Sequence, residues 1–230
     1  MTGQRQLPLD FDHRPALGGE DFLVAPSNAE AVAWIDRWPD WPGPALALHG
    51  PPGCGKTHLA QVFVAGNRAC LVGARELSAG GPEELTAPAC VVDDAETVLT
   101  EGLEEALLHL HNRLAEAGRH LLLVARRPPA RWTVALSDLS SRLNAASAIA
   151  IKPPDDTLIT AVLVKLFADR QLRVDSDVVS FMVARMERSF DAARRLVAAL
   201  DVAALAERRN ITVPLARNVL AGLADHKEDC

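Results

Sequence analysis

The sequence predicts an α/β domain with a parallel five-stranded sheet, followed by a small domain made only of helices. The first observation is a series of short apolar runs that alternate with helical patterns, as in parallel strands buried on both faces. The second is a change at residues 152–156, where two prolines interrupt the chain and only helical patterns follow. We therefore expect a flexible leader over residues 1–20, an α/β domain over residues 21–152 and a helical domain over residues 153–230.

The apolar runs define the predicted strands and the patterns beside them define helix boundaries. The strands are expected at residues 45–49, 70–72, 89–92, 121–125 and 148–151. Leucines 103, 107, 110 and 114 follow the spacing of one helix face. Ser27 and Glu30 form a capping-box pattern that predicts a helix ending near Arg37. Asp155 is expected to cap the first helix of the second domain, and residues 212–214 to begin the last one.

Composition and charge exclude several classes of protein. No apolar run is long enough to span a membrane, and the N-terminus does not have the pattern of a secretion signal, so we expect a cytoplasmic protein. The net charge of −6 disfavours non-specific DNA binding, so contact with DNA is expected only through another protein. Because the four cysteines include no C-x-x-C pair, we interpret Cys70 and Cys90 as small buried apolar residues.

A phosphate-binding loop is predicted directly after the first strand of the sheet. The run from Gly50 to Thr57 matches the pattern G-x-x-x-x-G-K-[ST] in full. Its glycines let backbone amides converge on an anion at a helix N-terminus, while Lys56 reaches the phosphates and the Thr57 hydroxyl is placed to bind Mg²⁺. The expected ligands are ADP or ATP with Mg²⁺, and the expected contact residues are Pro52, Gly53, Cys54, Gly55, Lys56, Thr57 and His58.

Two carboxylates follow the strand predicted at residues 89–92. Asp93 is expected to hold Mg²⁺ through water, and Asp94 to polarise an attacking water as a general base. A strand ending in two acids is a weak pattern alone, since many such acids are only solvated. The complete loop pattern upstream favours the functional interpretation.

Six further segments carry more specific patterns. They are F-L-V-A-P-S-N at 22–28, G-C-G-K-T-H-L at 53–59, V-V-D-D at 91–94, R-P-P at 127–129, S-S-R-L at 140–143 and I-T-V-P at 211–214. These segments resemble those of the AAA+ proteins of the DnaA family, and the resemblance covers most of the chain. It implies an AAA+ domain followed by a helical lid, with Phe22 near the adenine. It also implies that Arg142 is an arginine finger, although a surface arginine with a salt-bridge partner is the alternative.

Features at both ends of the chain favour the Hda-like members of this family. We expect neither the helix-turn-helix domain nor the long N-terminal region of the initiator DnaA in this protein. Near its start, residues 6–11 resemble a short motif that binds the sliding clamp of DNA polymerase III. The residues expected to make this contact are Gln6, Leu7, Leu9 and Phe11. The alternative is a flexible leader that contains three apolar residues by coincidence.

Two departures from the family pattern weaken the expectation of efficient ATP turnover. The strand expected to offer a polar sensor residue ends instead in Val124, Ala125 and Arg126. The lid arginine is not cleanly placed either, since Arg194 and Arg195 are both candidates. We expect at most a weak ATPase.

The resemblance implies a regulator of replication initiation. Bound to nucleotide and tethered to the DNA-loaded clamp, it would offer Arg142 to ATP held by DnaA and so prevent re-initiation. Its partners would be the clamp and DnaA, with no membrane partner, and it would associate with the replisome. Two alternatives stay open: a self-sufficient AAA+ ATPase that loads a helicase or remodels a partner, and a nucleotide-gated adaptor. The sequence leaves open the choice of ADP or ATP and the oligomeric state, a homo-oligomer included.

Overall fold

The computed structural model describes residues 13–14, 22–79, 86–207 and 210–228. These residues belong to two compact units: an α/β unit, His13–Lys152, and a helical unit that begins at Pro153.

The α/β unit contains a parallel five-stranded sheet, as predicted, and a small antiparallel pair that was not predicted. The strands are β1 (His13–Arg14), β2 (Phe22–Leu23), β3 (Ala45–His49), β4 (Cys70–Leu71), β5 (Ala89–Val92), β6 (His120–Ala125) and β7 (Ser147–Ala150). Strand β1 pairs with β2, and the main sheet has the order β4-β5-β6-β3-β7. The bounds predicted for β3 and β5 are confirmed.

Helices cover both faces of this sheet, because alternate strand residues enter two different cores. Leu122 and Val124 belong to one core, whereas Leu121 and Leu123 belong to the other. The helices are α1 (Ala29–Asp36), α2 (Lys56–Asn67), α3 (Ala74–Ser78), α4 (Ala95–Thr100), α5 (Glu104–Glu116) and α6 (Ser137–Ala145), with a 3₁₀ turn at Pro129–Arg131. Leucines 107, 110 and 114 of α5 are buried, as the spacing predicts.

The predicted capping box at the start of α1 is wrong. The N-cap residue is Asn28, and its side chain is instead used to fix the preceding turn. Its amide oxygen accepts a hydrogen bond from the Ala25 amide at 2.8 Å, and its amide nitrogen donates to the Leu23 carbonyl at 2.9 Å. The turn is closed by backbone bonds from residues 28 and 29 to the Ala25 carbonyl, and the Ser27 hydroxyl is buried without a hydrogen-bond partner. The backbone and the Asn28 side chain thus make the hydrogen bonds of this turn, and the Ser27 hydroxyl makes none of them.

The described residues of the helical unit form four helices around one apolar core. They are α7 (Asp156–Asp169), α8 (Ser176–Val183), α9 (Phe190–Glu207) and α10 (Val213–Glu228). The Asp155 carboxylate accepts a hydrogen bond from the Leu158 amide at 2.8 Å, which confirms the predicted cap of α7. The core includes Leu163, Met182 and Leu196, each almost completely buried. Within the described residues, no helix combines the length and the apolar character that crossing a membrane requires.

Candidate nucleotide site

The residues of the candidate site lie at the carboxyl edge of the sheet. In the register of the sheet His49 of β3 is opposite Ala125 of β6, and Val92 of β5 is opposite Leu123. The loop after β3, the acids after β5 and the segment after β6 therefore meet at one edge. In open α/β sheets, this is the edge at which ligands bind.

Gly50 begins the loop in a place where no other residue fits. Its amide donates to the Ala125 carbonyl at 3.3 Å, and the amide of Ile151 donates to the His49 carbonyl at 2.7 Å. A Cβ atom at residue 50 would lie 2.2 Å from the Ile151 carbonyl oxygen. Because that oxygen belongs to the backbone, the clash cannot be relieved by a side-chain rotation. The first glycine of the motif is thus required by the close approach of the chain after β7.

Gly55 turns the loop into helix α2. Its φ is +98°, in the left-handed region that favours glycine, and its carbonyl accepts the bond from the Leu59 amide at 2.9 Å. The amides of the first turn precede this bond and have no acceptor inside the helix. With the positive end of the helix dipole, they form a site that can bind a phosphate anion.

Lys56 supplies the positive charge of the loop. Its side chain is largely buried, and its ammonium donates to the Pro51 carbonyl at 2.7 Å and lies 3.7 Å from the Cys54 sulfur. Burial raises the pKa of the Cys54 thiol, with the Lys56 charge opposing the rise. Burial, with the charges of Lys56 and Arg131, lowers the pKa of His49. Burial thus favours the neutral forms of both the thiol and the imidazole near the Lys56 charge.

Thr57 and Asp93 offer the oxygen atoms that a magnesium ion prefers. The Thr57 side chain is exposed at the start of α2, and Asp93 is half-buried at the end of β5. One oxygen of Asp93 accepts a hydrogen bond from the Asp94 amide at 3.0 Å. Mg²⁺ in nucleotide sites is commonly held by few protein oxygens, with water and phosphate completing the shell. This donor set fits such an ion.

Asp94 is held by its own helix. Its backbone is left-handed, with φ +53° and ψ +51°, and it forms the N-cap of α4. Its carboxylate accepts a hydrogen bond from the Thr97 hydroxyl at 2.7 Å. The residue is exposed at a cavity of about 410 Å³ whose lining is Asp94, Glu96, Thr97, Thr100, Arg126 and Arg127. The candidate general base is accessible, but one of its oxygens already has a partner.

Glu96 fixes the segment after β6, a role that the sequence analysis missed. Its carboxylate accepts from the Arg126 amide at 2.9 Å and from the Arg127 side chain at 2.7 Å. The side chains of Val124 and Ala125 are buried, so the end of this strand offers no polar sensor group. The guanidinium of Arg126 is exposed and has no hydrogen-bond or ion-pair partner within the described part of the chain. No local pattern links Glu96 to residues thirty positions later.

Phe22 and His58 are brought together. Their rings meet edge to face, with centroids 5.4 Å apart, and Phe22 is buried. This contact places strand β2 against the first turn of α2. The residues expected near the adenine and near the phosphates are thus neighbours.

Arg142 lies apart from this group, on α6. Its guanidinium makes two hydrogen bonds to the Asp138 carboxylate, at 3.1 and 3.3 Å, and its side chain is 39% exposed. His111 of the neighbouring α5 is buried with Nδ1 unpaired, and burial, with a smaller contribution from the Arg142 charge, lowers the pKa of this histidine. Among the described residues, no hydrogen bond joins Arg142 to the phosphate-binding loop. Its side chain is accessible from outside the molecule.

The remaining predicted residues lie in the helical unit or outside the described residues. Arg194 and Arg195 are both exposed on α9. Arg195 donates to the Asp191 carboxylate at 2.6 Å, whereas Arg194 has no ion-pair partner among the described residues. The proposed clamp contacts at Gln6, Leu7, Leu9 and Phe11 lie outside the described residues.

Comparisons with known proteins agree with this fold. Domain III of the replication initiation protein DnaA from Thermotoga maritima aligns with a TM-score of 0.75 at 18% identity, covering 87% of this chain and 94% of that domain. AMPPCP-bound DnaA from Aquifex aeolicus aligns with a TM-score of 0.65 at 16% identity, covering 79% of this chain and 63% of that one. An uncharacterized protein of Haemophilus influenzae is 28% identical over 188 residues, covering 77% of this chain and 81% of that protein.

The parallel sheet, the complete phosphate-binding loop and the appended helices define a P-loop protein with an AAA+ fold. Residues 156–220, nearly the whole helical unit, match the family model for the Hda lid domain. The chain thus resembles the Hda-like AAA+ proteins of the DnaA family, in its fold and in the sequence of its helical unit.

Proposed function

We propose that this protein is a nucleotide-bound regulator that stimulates hydrolysis of the ATP held by DnaA and so prevents re-initiation of replication. The observation that carries the proposal is the accessible Arg142 on α6, in a chain whose helical unit matches the Hda lid domain. In this proposal residues 6–11 tether the protein to the DNA-loaded sliding clamp. DNA is approached only through that clamp, and the protein works in the cytoplasm beside the replisome.

Nucleotide binding is assigned to the loop from Gly50 to Thr57. The amides of the first turn of α2 and the Lys56 ammonium would bind the phosphates of ADP or ATP. Thr57 and Asp93 would hold Mg²⁺, which screens the phosphate charge. Structures of related fold include the AMPPCP-bound DnaA from Aquifex aeolicus, which supports this assignment.

Energetics favour Arg142 as a group that acts on another molecule. Its pairing with Asp138 is an exposed ion pair between residues four apart, and such a pair stabilises a helix by only about 0.3–0.5 kcal/mol. An arginine supplied to a nucleotide from a second protein raises the rate of phosphoryl transfer by about 10³–10⁵. The free energy lost when Arg142 separates from Asp138 is therefore small compared with the free energy by which it would stabilise the transition state.

The protein's own site is less suited to turnover. The Thr97 hydroxyl occupies one oxygen of Asp94, and the end of β6 is apolar at Val124 and Ala125. These two features support a nucleotide that sets the state of the protein, with at most slow hydrolysis in its own site.

The test is an assay of DnaA-bound ATP hydrolysis with DNA-loaded clamp. We expect Arg142→Ala to lose at least about 100-fold of the stimulation, because the positive charge at the transition state is removed. Arg188→Ala is the matched control, since it also removes an exposed arginine from an ion pair with an aspartate. Asp138→Ala frees Arg142 and should keep the stimulation. If Arg142→Ala stimulates as well as the parent, the finger assignment is wrong.

A second measurement separates the alternatives. Clamp pull-down with the double variant Leu9→Ala and Phe11→Ala should lose the complex, and undiminished binding would remove the tether from the proposal. Strong basal turnover that is lost in Asp94→Asn would support a self-sufficient ATPase or helicase loader. Binding of the partners without any effect on hydrolysis would support a nucleotide-gated adaptor.

A further inference from the structure

Two cysteines lie opposite each other at the edge of the sheet. Cys70 of β4 and Cys90 of β5 are direct partners in the parallel ladder, and the backbone bond from the Val72 amide to the Val91 carbonyl, at 2.8 Å, continues it. Directly paired residues project from the same face of a sheet, and both side chains pack on the same core cluster. Neighbouring strands are about 5 Å apart, within the Cα separation that a disulfide allows. Both thiols are free in the structure.

The two thiols are chemically unequal. A hydrogen bond from the Cys90 thiol lowers the pKa of Cys70 to about 7, while the same bond and burial raise the pKa of Cys90. The charged groups that act on the pair are Glu76 on Cys70, and Arg119 and Arg113 on Cys90. Cys70 is half-buried on the edge strand, whereas Cys90 is completely buried. Cys70 thus has both the thiolate character and the access of a reactive cysteine, contrary to its interpretation as a buried apolar residue.

We propose that Cys70 and Cys90 form an oxidation site that a small-molecule disulfide converts into a disulfide between β4 and β5. The Cys70 thiolate attacks one sulfur of the oxidant, and the other sulfur leaves as a thiolate. The Cys90 thiol then gives up its proton to solvent and attacks the Cys70 sulfur of the mixed disulfide, and a second thiolate leaves. The protein loses two electrons and two protons, and the oxidant is reduced to two thiols.

The fold makes this disulfide readily reversible. Paired Cβ atoms must approach to about 3.5–4.5 Å, closer than the normal spacing of strands, so β4 is drawn toward β5. Strand β4 has only two residues and lies at the sheet edge, so it can move without disturbing a second neighbour. A strained disulfide is reduced more easily than a relaxed one.

The test treats the full chain with oxidised glutathione in the absence of oxygen, followed by intact mass and peptide mapping. We expect the loss of two hydrogen masses, and a linked pair of peptides that contains Cys70 and Cys90. Cys70→Ser should abolish the link, and Cys90→Ser should instead accumulate a glutathione adduct on Cys70. If Cys90→Ser folds poorly, Cys90→Ala keeps a small apolar group at the buried position and gives the same test. Cys230→Ser, outside the pair, is the matched control and should form the link at the parent's rate.

The pH dependence gives a second readout. The reaction rate should reach half its maximum near pH 7, well below the value near 8.5 of an ordinary thiol. A parent protein that takes up glutathione without forming the link would overturn the proposal. So would a link that involves other cysteines, or one that persists in Cys70→Ser.

Discussion

The two units of this protein differ in what they contribute: the α/β unit carries the candidate nucleotide site, and the helical unit carries the match to a family model. In the α/β unit, charged groups lie at the carboxyl edge of the sheet: Lys56 begins α2, and Asp93 and Asp94 follow β5. In the helical unit, the described charged residues include surface ion pairs such as Arg188 with Asp156. Yet the Hda lid family model matches this second unit, at residues 156–220.

The difference has a physical origin. A phosphate-binding loop is dictated by its ligand, because the glycines, the lysine and the helix N-terminus must stand where the phosphate needs them. Unrelated activities can therefore share nearly the same loop. A helical core can be filled by many combinations of apolar side chains, provided that volume and pattern are kept. The particular combination chosen then distinguishes one family from another.

The largest expected effect comes from the α/β unit. Lys56→Ala should weaken binding of a fluorescent ADP analogue by at least about 100-fold, or about 2.7 kcal/mol, because the single buried cation of the loop is removed. Isothermal titration or fluorescence anisotropy would measure it. Lys152→Ala removes an exposed lysine from the same unit and should bind like the parent. Nearly equal affinities for parent and Lys56→Ala would contradict the site.

A smaller effect should separate the stabilities of the two units. Burial lowers the pKa of His49, His111 and His120, all in the α/β unit, whereas the helical unit holds only His226. Below the ordinary pKa of histidine, these side chains are protonated in the unfolded chain more readily than in the folded unit. The free energy of unfolding therefore decreases as the pH falls. Between about pH 7.5 and about pH 5.5 we therefore expect the free energy of unfolding of the α/β unit to fall.

Tryptophan fluorescence can follow this loss selectively, because all four tryptophans of the chain lie in the α/β unit. Urea titrations at the two pH values measure it. His120→Gln should reduce the pH dependence, and His109→Gln, at an exposed position of α5, is the control. Stability that stays constant or rises toward pH 5.5 would contradict the expectation.

The smallest effect tests whether the helical unit contributes to nucleotide affinity. Arg195 is engaged by Asp191, whereas Arg194 is exposed and unpaired within the described residues, so Arg194 is the better candidate for a phosphate contact. Arg194→Ala should weaken ADP-analogue binding by about fivefold, or about 1 kcal/mol, with Arg195→Ala close to the parent. The reverse order would assign the role to Arg195, and no change in either would confine nucleotide binding to the α/β unit.

Elements with strong local patterns could be predicted from the sequence. Strands β3 and β5 are buried apolar runs, except for the partly exposed His49 at the end of β3, so their bounds follow directly from composition. The cap at Asp155 depends only on residues beside it, and it was predicted correctly. The loop from Gly50 to Thr57 is likewise a contiguous pattern.

Features that depend on distant parts of the chain could not be predicted. Serine is a residue type that commonly caps helices, but the hydroxyl of Ser27 makes no such bond. The turn before α1 is instead closed by backbone bonds to the Ala25 carbonyl and by the side chain of Asn28. Glu96 fixes a segment thirty residues away, and Cys70 meets Cys90 only because β4 and β5 pair in one particular register. Each of these outcomes is decided by tertiary pairing, which a local pattern does not contain.

The left-handed backbone of Asp94 restricts which residues can replace it during evolution. At φ +53°, asparagine and glycine are accepted at least as readily as aspartate, whereas most other side chains are strained. Both replacements are single-base changes from an aspartate codon. A descendant could therefore discard the carboxylate while keeping the turn, the helix that follows and the whole sheet edge. The carboxylate that we propose as a general base is thus the group that evolution can remove here with the least disturbance to the rest of the structure.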